Sequence, residues 1–524
     1  MRVHSRILSA IVTALSLAML PAHAWQSTRV VRGADGRLEY PADAAGNRIP
    51  DFSHAGYRGG GVPLPSVPTE ATLAHADGDQ TNRIQRALDE VAARSPSAAG
   101  HRGALLLGPG RWQVDGTIRL TTSGVVLRGS GDGEDPRRDT LLVRQRRVPD
   151  PLVQAGQRND SFRSEKPRSR TAITTPRVAV GERAFDVAEP GLFQVGQAVV
   201  VHHPSTPAWI ARVGGGGMVK ERAWRPGEVD LRFHRYITAI AGSRLTLDAP
   251  VFDTLDRSVS PVAVYAYQDR HVVREVGVES LRAESAIAGL FSEQHLEDAI
   301  VFSGVENSWM TDCTVRGFWH AGIQLEGSTR CTVARSRATD PRGPVTGGYH
   351  YNFATYHSQL ILFRECFASA GRHAFISNGG SLDSGIVVVD SVTARSTTSS
   401  EGHRRWSMGL LFDNVRAEDP RDPDVIRLYN RGDYGTSHGW AAAHSVAWAC
   451  DVTPRGRLVV QAPPTAQNYA IGCSGQILGK GPYPGAPGFI EGSNRAGLEP
   501  RSLYDAQLAE RLGARRTSLR GGAK

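Results

Sequence analysis

Apolar residues in most of this chain come in short runs cut by glycine, proline and small polar residues, and few of them recur at helical spacing. GALLLGPGRWQVDGTIRLTTSGVVLRGSG (103–131) shows the pattern well: Gly-Pro-Gly, Asp-Gly and Ser-Gly mark tight turns between strands of about four to five residues. From Ala104-Leu105-Leu106 to Val125-Val126-Leu127 is 21 residues, the length of one coil of a parallel β-solenoid. The pattern returns in NSWMTDCTV (from 307), TRCTVARSRA (329), SQLILFRECFA (358) and SGIVVVDSVTA (384), at intervals of 22, 29 and 26 residues. It continues in MGLLFDNV (408–415), AHSVAWACDV (443–452) and RLVVQAPP (457–464). Each coil of such a stack buries its apolar face against the next, and the uneven intervals predict loops leaving one side. A β-sandwich is the competing architecture.

Three stretches break the pattern. GDQTNRIQRALDEVAA (78–93) places Ile84, Ala87, Leu88, Val91 and Ala92 on one helical face, with Asp79 able to cap its start. Residues 170–255 contain strand-like FDVAEPGLFQVGQAVVVHHP and RLTLDAPV but no repeat, and predict a lateral β-rich insertion ending near Val251. MRVHSRILSAIVTALSLAMLPAHA has a basic start, an apolar run over 7–20 and a small-x-small site at Ala22-His23-Ala24, the pattern of a secretory signal. The expected organisation is a signal peptide (1–24), an extended segment (25–74), a capping helix with the first coils (75–169), the insertion (170–255), the solenoid body (256–490) and a basic C-terminal tail (491–524), of which Arg511–Lys524 is expected to be solvated. The mature protein is expected to be secreted or periplasmic, monomeric and without a membrane span.

GDQTNRIQRAL, GPGRWQVDGTIRL and SGVVLRGSG together resemble the N-terminal entry of pectate-lyase-like right-handed parallel β-helix proteins. SGVENSWMTDCTV, AGRHAFI, EGHRRWSMGLLFDN, GTSHGWAAAHSVAWAC and PPTAQNYAIGCSG are similar to segments of secreted bacterial members of that group. The resemblance covers most of 49–475. It implies an all-β fold, a right-handed parallel β-helix with an N-terminal capping helix, here with the lateral insertion. It does not select a reaction, because that scaffold hosts lyases, hydrolases, esterases and adhesins. The acidic calcium cluster of pectate lyases is not evident, so no cofactor is carried over.

Charge and cysteine content narrow the classes. The formal charge is +9, which suits an acidic polymer, while no nucleic-acid module or zinc spacing is present. Five cysteines do not make a disulfide framework; Cys313, Cys331 and Cys366 fall once per repeat as small buried residues would, and Cys450 and Cys473 are able to pair.

Four polar clusters recur about one coil apart, where adjacent rungs lie only about 4.8 Å from each other. They are GGYHYNF with His350 and Tyr351, GRHAF with Arg372 and His373, GHRRW with His403, Arg404, Arg405 and Trp406, and NRGDYGTSHGW with Asp433, His438 and Trp440. Tyr351 to His373 is 22 residues, and His373 to His403 and His403 to Asp433 are 30 each. This mixture suits β-elimination on a uronic-acid glycan, in which arginine stabilises charge developing beside the sugar carboxylate and histidine or tyrosine moves the proton. The expected catalytic set is His373, His403, Arg404, Arg405 and Tyr351. The expected substrate-binding set is Arg372, His350, Trp406, Asp433, His438 and Trp440, with the tryptophans stacking on sugar rings. Strand alternation admits only one of Arg404 and Arg405 to the groove. The alternatives are a glycoside hydrolase or transglycosylase using a pair from Asp298, Glu326, Asp383, Asp390, Asp413 and Asp433, and a non-catalytic glycan-binding protein.

Overall fold

The computed structural model describes residues 24–157, 165–267, 272–286 and 291–521, with side chains as far as 513. The signal-like segment lies, apart from Ala24, outside the described residues. Among these residues no helix is long and apolar enough to cross a membrane.

Three long, almost wholly parallel sheets run the length of the chain and define a right-handed parallel β-helix. One coil shows the plan. Trp309–Thr311 lies in the first sheet, Thr314–Arg316 in the second and Ala321–Glu326 in the third, and the next coil begins at Thr332–Ala334. The register keeps like residues above one another: Val333 faces Phe363, then Val388, Phe412, Ala447 and Ala470 in successive coils. All six are buried. Each such ladder removes apolar area from water on both sides of every rung, at roughly 1.5–3 kcal/mol for a large side chain.

The corners follow backbone geometry rather than residue type. Asp312, Arg335, Glu365, Asp390, Asn414 and Ala449 each turn the chain from the first sheet into the second at φ between 45° and 54°. A non-glycine residue there costs about 1–2 kcal/mol. The cost is offset because each of these N–H groups donates to a carbonyl of the next coil. Immediately after this corner, Cys313, Ser336, Cys366, Ser391, Val415, Cys450 and Cys473 form a buried ladder, small residues at every rung but the valine. The Ser336 and Ser391 hydroxyls accept from the Cys313 and Cys366 N–H groups. Cys331 sits at a different corner, and Cys450 and Cys473 are neighbours with free thiols.

The capping helix is Thr81–Ala92, burying Ile84, Ala87, Leu88 and Val91 over the first coils. Asp79 takes the Thr81 N–H and hydroxyl. The insertion is a six-stranded antiparallel sheet. It extends past the expected limit near Val251, because Ala263–Ala266 completes it by pairing with Ala198–His203. The C-terminal stretch is packed as far as its side chains are described, and Arg511, expected to begin a solvated end, is engaged. Phe489–Glu491 is a further rung, Leu498–Glu499 pairs with Trp25–Gln26, and the helix Leu503–Gly521 packs on the N-terminal segment. Leu503, Tyr504 and Gln507 are buried, and the Arg511 guanidinium donates to the Ser53, Gly59 and Gly60 carbonyls.

Candidate functional site

The outward face of the third sheet carries Gln324, Ala354, Ile376, Glu401 and Arg427 in register on successive coils. Ala354 and Ile376 form a small apolar floor with Ala321 and Tyr351. Where Glu401 follows, that floor gives way to a buried polar cluster.

Glu401 is 1% exposed and fully engaged. One carboxylate oxygen accepts from Arg431 Nη1 at 2.6 Å and His403 Nδ1 at 2.8 Å, and the other accepts from the hydroxyls of Ser399 at 2.7 Å and Tyr429 at 3.3 Å. Burial pushes its carboxyl up, but Arg431, the His373 imidazole and the Ser399 hydroxyl more than reverse this and keep it ionised. His403 Nδ1 lies against both this carboxylate and Arg431 Nη1; with its proton on Nδ1 it donates to the carboxylate, which only accepts, and its Nε2 keeps a lone pair. His373 is fixed in the same way by the Ser399 carbonyl, 2.6 Å from Nδ1, and its buried Nε2 has no partner. Burial holds both imidazoles well below their ordinary value, helped at each by the guanidiniums of Arg372 and Arg431. His438 is lowered to about 3, by burial first and then by Arg431 and Arg404. All three are neutral at neutral pH.

These groups open onto a cleft of about 520 Å³ lined by Tyr351, Arg372, His373, Asn378, His403, Arg404, Arg427, Arg431, Tyr434 and His438, among others. The rings of Tyr351, His373 and His403 form a triangle, with centroids 5.5 Å (Tyr351–His373), 5.0 Å (His373–His403) and 6.1 Å (Tyr351–His403) apart, and His438 lies 4.8 Å from His403. Burial raises the Tyr351 hydroxyl above its usual value, against the pull of Arg372. Arg431 is paired with Glu401 and Arg427 with Asp424. Among the described residues Arg372 and Arg404 have no carboxylate partner, and Arg372 Nη1 is buried with no hydrogen bond. Arg404 is held by its Nε donating to the Asn378 carbonyl and by lying over the Tyr356 ring.

The structure therefore brings Tyr351, Arg372, His373, His403, Arg404 and His438 to one cleft and sends five expected residues elsewhere. Trp406 is fully buried among Trp209 and Trp224, with its indole N–H donating to Asp253, so it offers no face to a sugar. Trp440 is 4% exposed and packs against Gly217 of the insertion. Asp433 accepts the backbone N–H groups of Val219, Lys220 and Glu221, tying its loop to the insertion. Arg405 donates to the Thr436 carbonyl and faces Glu228. His350, at φ 59°, tucks its ring against the turn at Gly343.

The coil spacing is also corrected. Tyr351 does face His373, but Ile376 faces Glu401 and Glu401 faces Arg427. His403 thus lies five residues beyond the position that stacks on His373, and Asp433 lies off its ladder. His403 reaches His373 because its strand, Ser400–Gly402, ends just before it and the chain turns there. Glu401 and Tyr429 are members of the site that were not anticipated, and Arg431, part of the fourth sequence cluster, had been given no role in it. Glu401 was legible: at two residues before His403 on an extended strand, it shares that face.

Among the described residues, two groups of side chains have the spacing to hold a metal ion, His373–Glu401–His403 and Glu297–Asp298–His320. The first is a poor cation site, because Arg431 already sits on the Glu401 oxygen that a metal would use. The second lies alongside the cleft, with His320 Nδ1 2.7 Å from Asp298 and its ring 5.5 Å from that of Tyr351. Burial pushes His320 down, but Asp298 and Glu297 hold it above its ordinary value.

No family model matches the chain, and no curated protein matches it in sequence. Solved structures do resemble it. A tailspike protein of Pseudomonas phage LKA1 is 13% identical with a TM-score of 0.42, over 76% of this chain and 64% of that one, so the chain spans less than two thirds of the tailspike's length. An alginate lyase from Paenibacillus is 8% identical with a TM-score of 0.41, over 82% of this chain and 99% of the lyase. A polygalacturonase from Erwinia carotovora is 12% identical with a TM-score of 0.36, over 84% of this chain and 99% of that enzyme. At these identities and scores the likenesses carry nothing about activity, and the parallel β-helix rests on the strand register.

Proposed function

We propose that the protein binds a uronic-acid polysaccharide in the cleft and cleaves it by β-elimination. One observation carries this reading: two guanidiniums without carboxylate partners among the described residues, Arg372 and Arg404, line the cleft beside the neutral imidazoles of His373 and His403, and His373 Nε2 has no partner. A sugar carboxylate is the anion such guanidiniums take in bidentate fashion. Its binding there makes the proton on the adjacent carbon more acidic, because the charge that develops on the carboxylate in the transition state is met by fixed cations.

In this reading His403 Nε2 takes that proton. Glu401 holds the ring in the required tautomer and stabilises the imidazolium, as a carboxylate does behind a catalytic histidine. A carbon–carbon double bond forms in the sugar as the bond to the neighbouring sugar oxygen breaks. That oxygen receives a proton from Tyr351, with His373 at its edge as a second proton carrier. The basic, apolar start of the chain supports export to the compartments where such polymers are met.

The carboxylates favour elimination over hydrolysis. A glycosidase needs two carboxyl groups flanking the bond. Beside the cleft, Glu401 is committed to Arg431, His403 and Ser399, and Asp298, alongside it, is committed to His320 and the Ala321 N–H. Asp383 is buried beneath four hydrogen bonds, from Thr355, Ser358, Ser377 and Gly379, and Asp413 is buried against Ser502 and Tyr504. Asp390 serves a corner and Asp433 a loop contact.

The test is incubation with a panel of uronate polymers while following absorbance near ~235 nm, the signature of the conjugated unsaturated product. Absorbance growing with turnover supports the reading. New reducing ends without it would instead establish hydrolysis, and binding without any product would make this a glycan-binding module.

A further inference from the structure

We propose that the groove next to the cleft, lined by Gln461, Lys480, Tyr483, Pro484 and Pro487, is a second saccharide subsite that takes units of the same polymer beyond the reacting one. This rests on the acidic-glycan reading of the cleft.

The groove has a volume of about 610 Å³ and is separated from the cleft by one hairpin, residues 430–440. Tyr434, on that hairpin, lines the cleft, is 44% exposed, and meets the ring of Tyr483 edge-on at 4.9 Å. The two spaces are therefore continuous across a pair of aromatic rings. The direction also fits. Strands Asp424–Leu428, Arg457–Ala462 and Gln476–Leu478 stack in that order, the hairpin follows the first and the loop 479–487 follows the third. That displacement is two rungs, about 10 Å along the helix axis. It suits a chain lying along the axis, since a pyranose unit is close to one rung in length.

The groove is built rather than incidental. Gln461 donates to the Tyr483 carbonyl at 3.0 Å and accepts from Asn430 N at 3.1 Å, while the Asn430 amide donates to the carbonyls of Pro484 and Gly217. Tyr483 lies flat against Gly432, whose φ is 47° and where a Cβ would fall 2.2 Å from the ring. Loop, hairpin and insertion are thus locked together. The chemistry differs from the cleft: glycines, prolines and a tyrosine ring offer apolar surface to the C–H face of a sugar, and Lys480 is the single charged lining residue. The expected occupant is an uncleaved sugar unit stacked on Tyr483 with its carboxylate near Lys480.

The experiment measures binding of the full-length protein to oligogalacturonates and oligomannuronates from disaccharide to octasaccharide by titration calorimetry. Wild type is compared with Tyr483→Ala and Lys480→Gln, and thermal midpoints are recorded. Affinity for the bound series should rise about tenfold once the chain is long enough to reach Tyr483. Either variant should lose that gain. If wild type shows no gain with length, or both variants keep it, the subsite is refuted. Should Tyr483→Ala lower the thermal midpoint, Lys480→Gln, an exposed side chain, decides alone. Length-dependent binding without unsaturated product would remove the proposed reaction and leave the subsite standing. Product without length dependence would do the reverse.

Discussion

Residues 400–409 build two regions of opposite character within a few positions of each other. His403 and Arg404 line the cleft with Glu401 buried behind them; the imidazoles there are buried, His373 Nε2 has no partner, and the Arg404 guanidinium has no carboxylate among the described residues. Arg405 and Trp406 both have positive φ, 48° and 71°, which swings the chain away from the cleft toward the insertion. There Trp406 is enclosed by Trp209 and Trp224, and its one polar atom is satisfied by Asp253. The first region keeps polar groups poised at some cost in stability, and the second gathers the apolar contacts that hold the coil in place. Function and stability should therefore separate cleanly along this segment.

The widest separation is expected from single substitutions on either side. His403→Ala should lower turnover of the cleaved uronate by about 100- to 10,000-fold with little change in the thermal midpoint. A near-normal rate would remove His403 as the base. Trp406→Ala should do the opposite, costing about 3–5 kcal/mol in urea unfolding by leaving a cavity and an unsatisfied Asp253, while folded protein keeps its turnover.

Arg372→Ala sharpens the cleft side. Losing one charge-assisted contact of about 1.5–3 kcal/mol should reduce kcat/KM roughly 10- to 100-fold for uronate polymers. The same change on the insertion side, Arg405→Ala, should act only by loosening the 430–440 hairpin and give a smaller loss, seen mainly in KM.

The smallest effect is a pH dependence. His373 and His403 have folded pKa values well below the ordinary 6.5. The unfolded chain takes up their protons as pH falls through 6.5, and the folded chain does so only much lower. Stability is accordingly highest above 6.5 and falls with acidification below it. Turnover should stay level from about pH 8 to 6.5, because both imidazoles remain neutral there. A double His373→Asn, His403→Asn variant should show a shallower fall of thermal midpoint between about pH 6.5 and 5. An equally steep fall would mean that other groups govern it.

Much of the scaffold was legible in the chain. Short apolar runs at coil-length intervals predicted the stack, and the face of Ile84, Leu88 and Val91 predicted the capping helix. In the site, Tyr351 and His373 were placed one coil apart and do face each other. The later spacings misled because the coils differ in length: the third-sheet strand of one coil is shortened to Ser400–Gly402, and equal intervals of 30 residues no longer mark equal positions. The tryptophans were misassigned because an indole serves equally well in a core or on a sugar, and composition does not say which surface covers it. The packing of the C-terminal stretch was not legible because Leu503, Tyr504 and Leu508 find their partners in segments more than 400 residues away in sequence, around Phe52 and Gly61.

By itself the sequence determined the solenoid, its cap, its insertion and the side of the coils where polar chemistry collects. Those follow from periodicity, which local residue type encodes. Only the tertiary structure decided which of the clustered residues share the cleft, that Glu401 contacts His403, and that Arg372 and Arg404 rather than Arg405 line it. The reason is physical: left-handed corners, uneven coil lengths and the docking of a distant insertion set side-chain direction, and none of these is a property of the few residues whose direction they set.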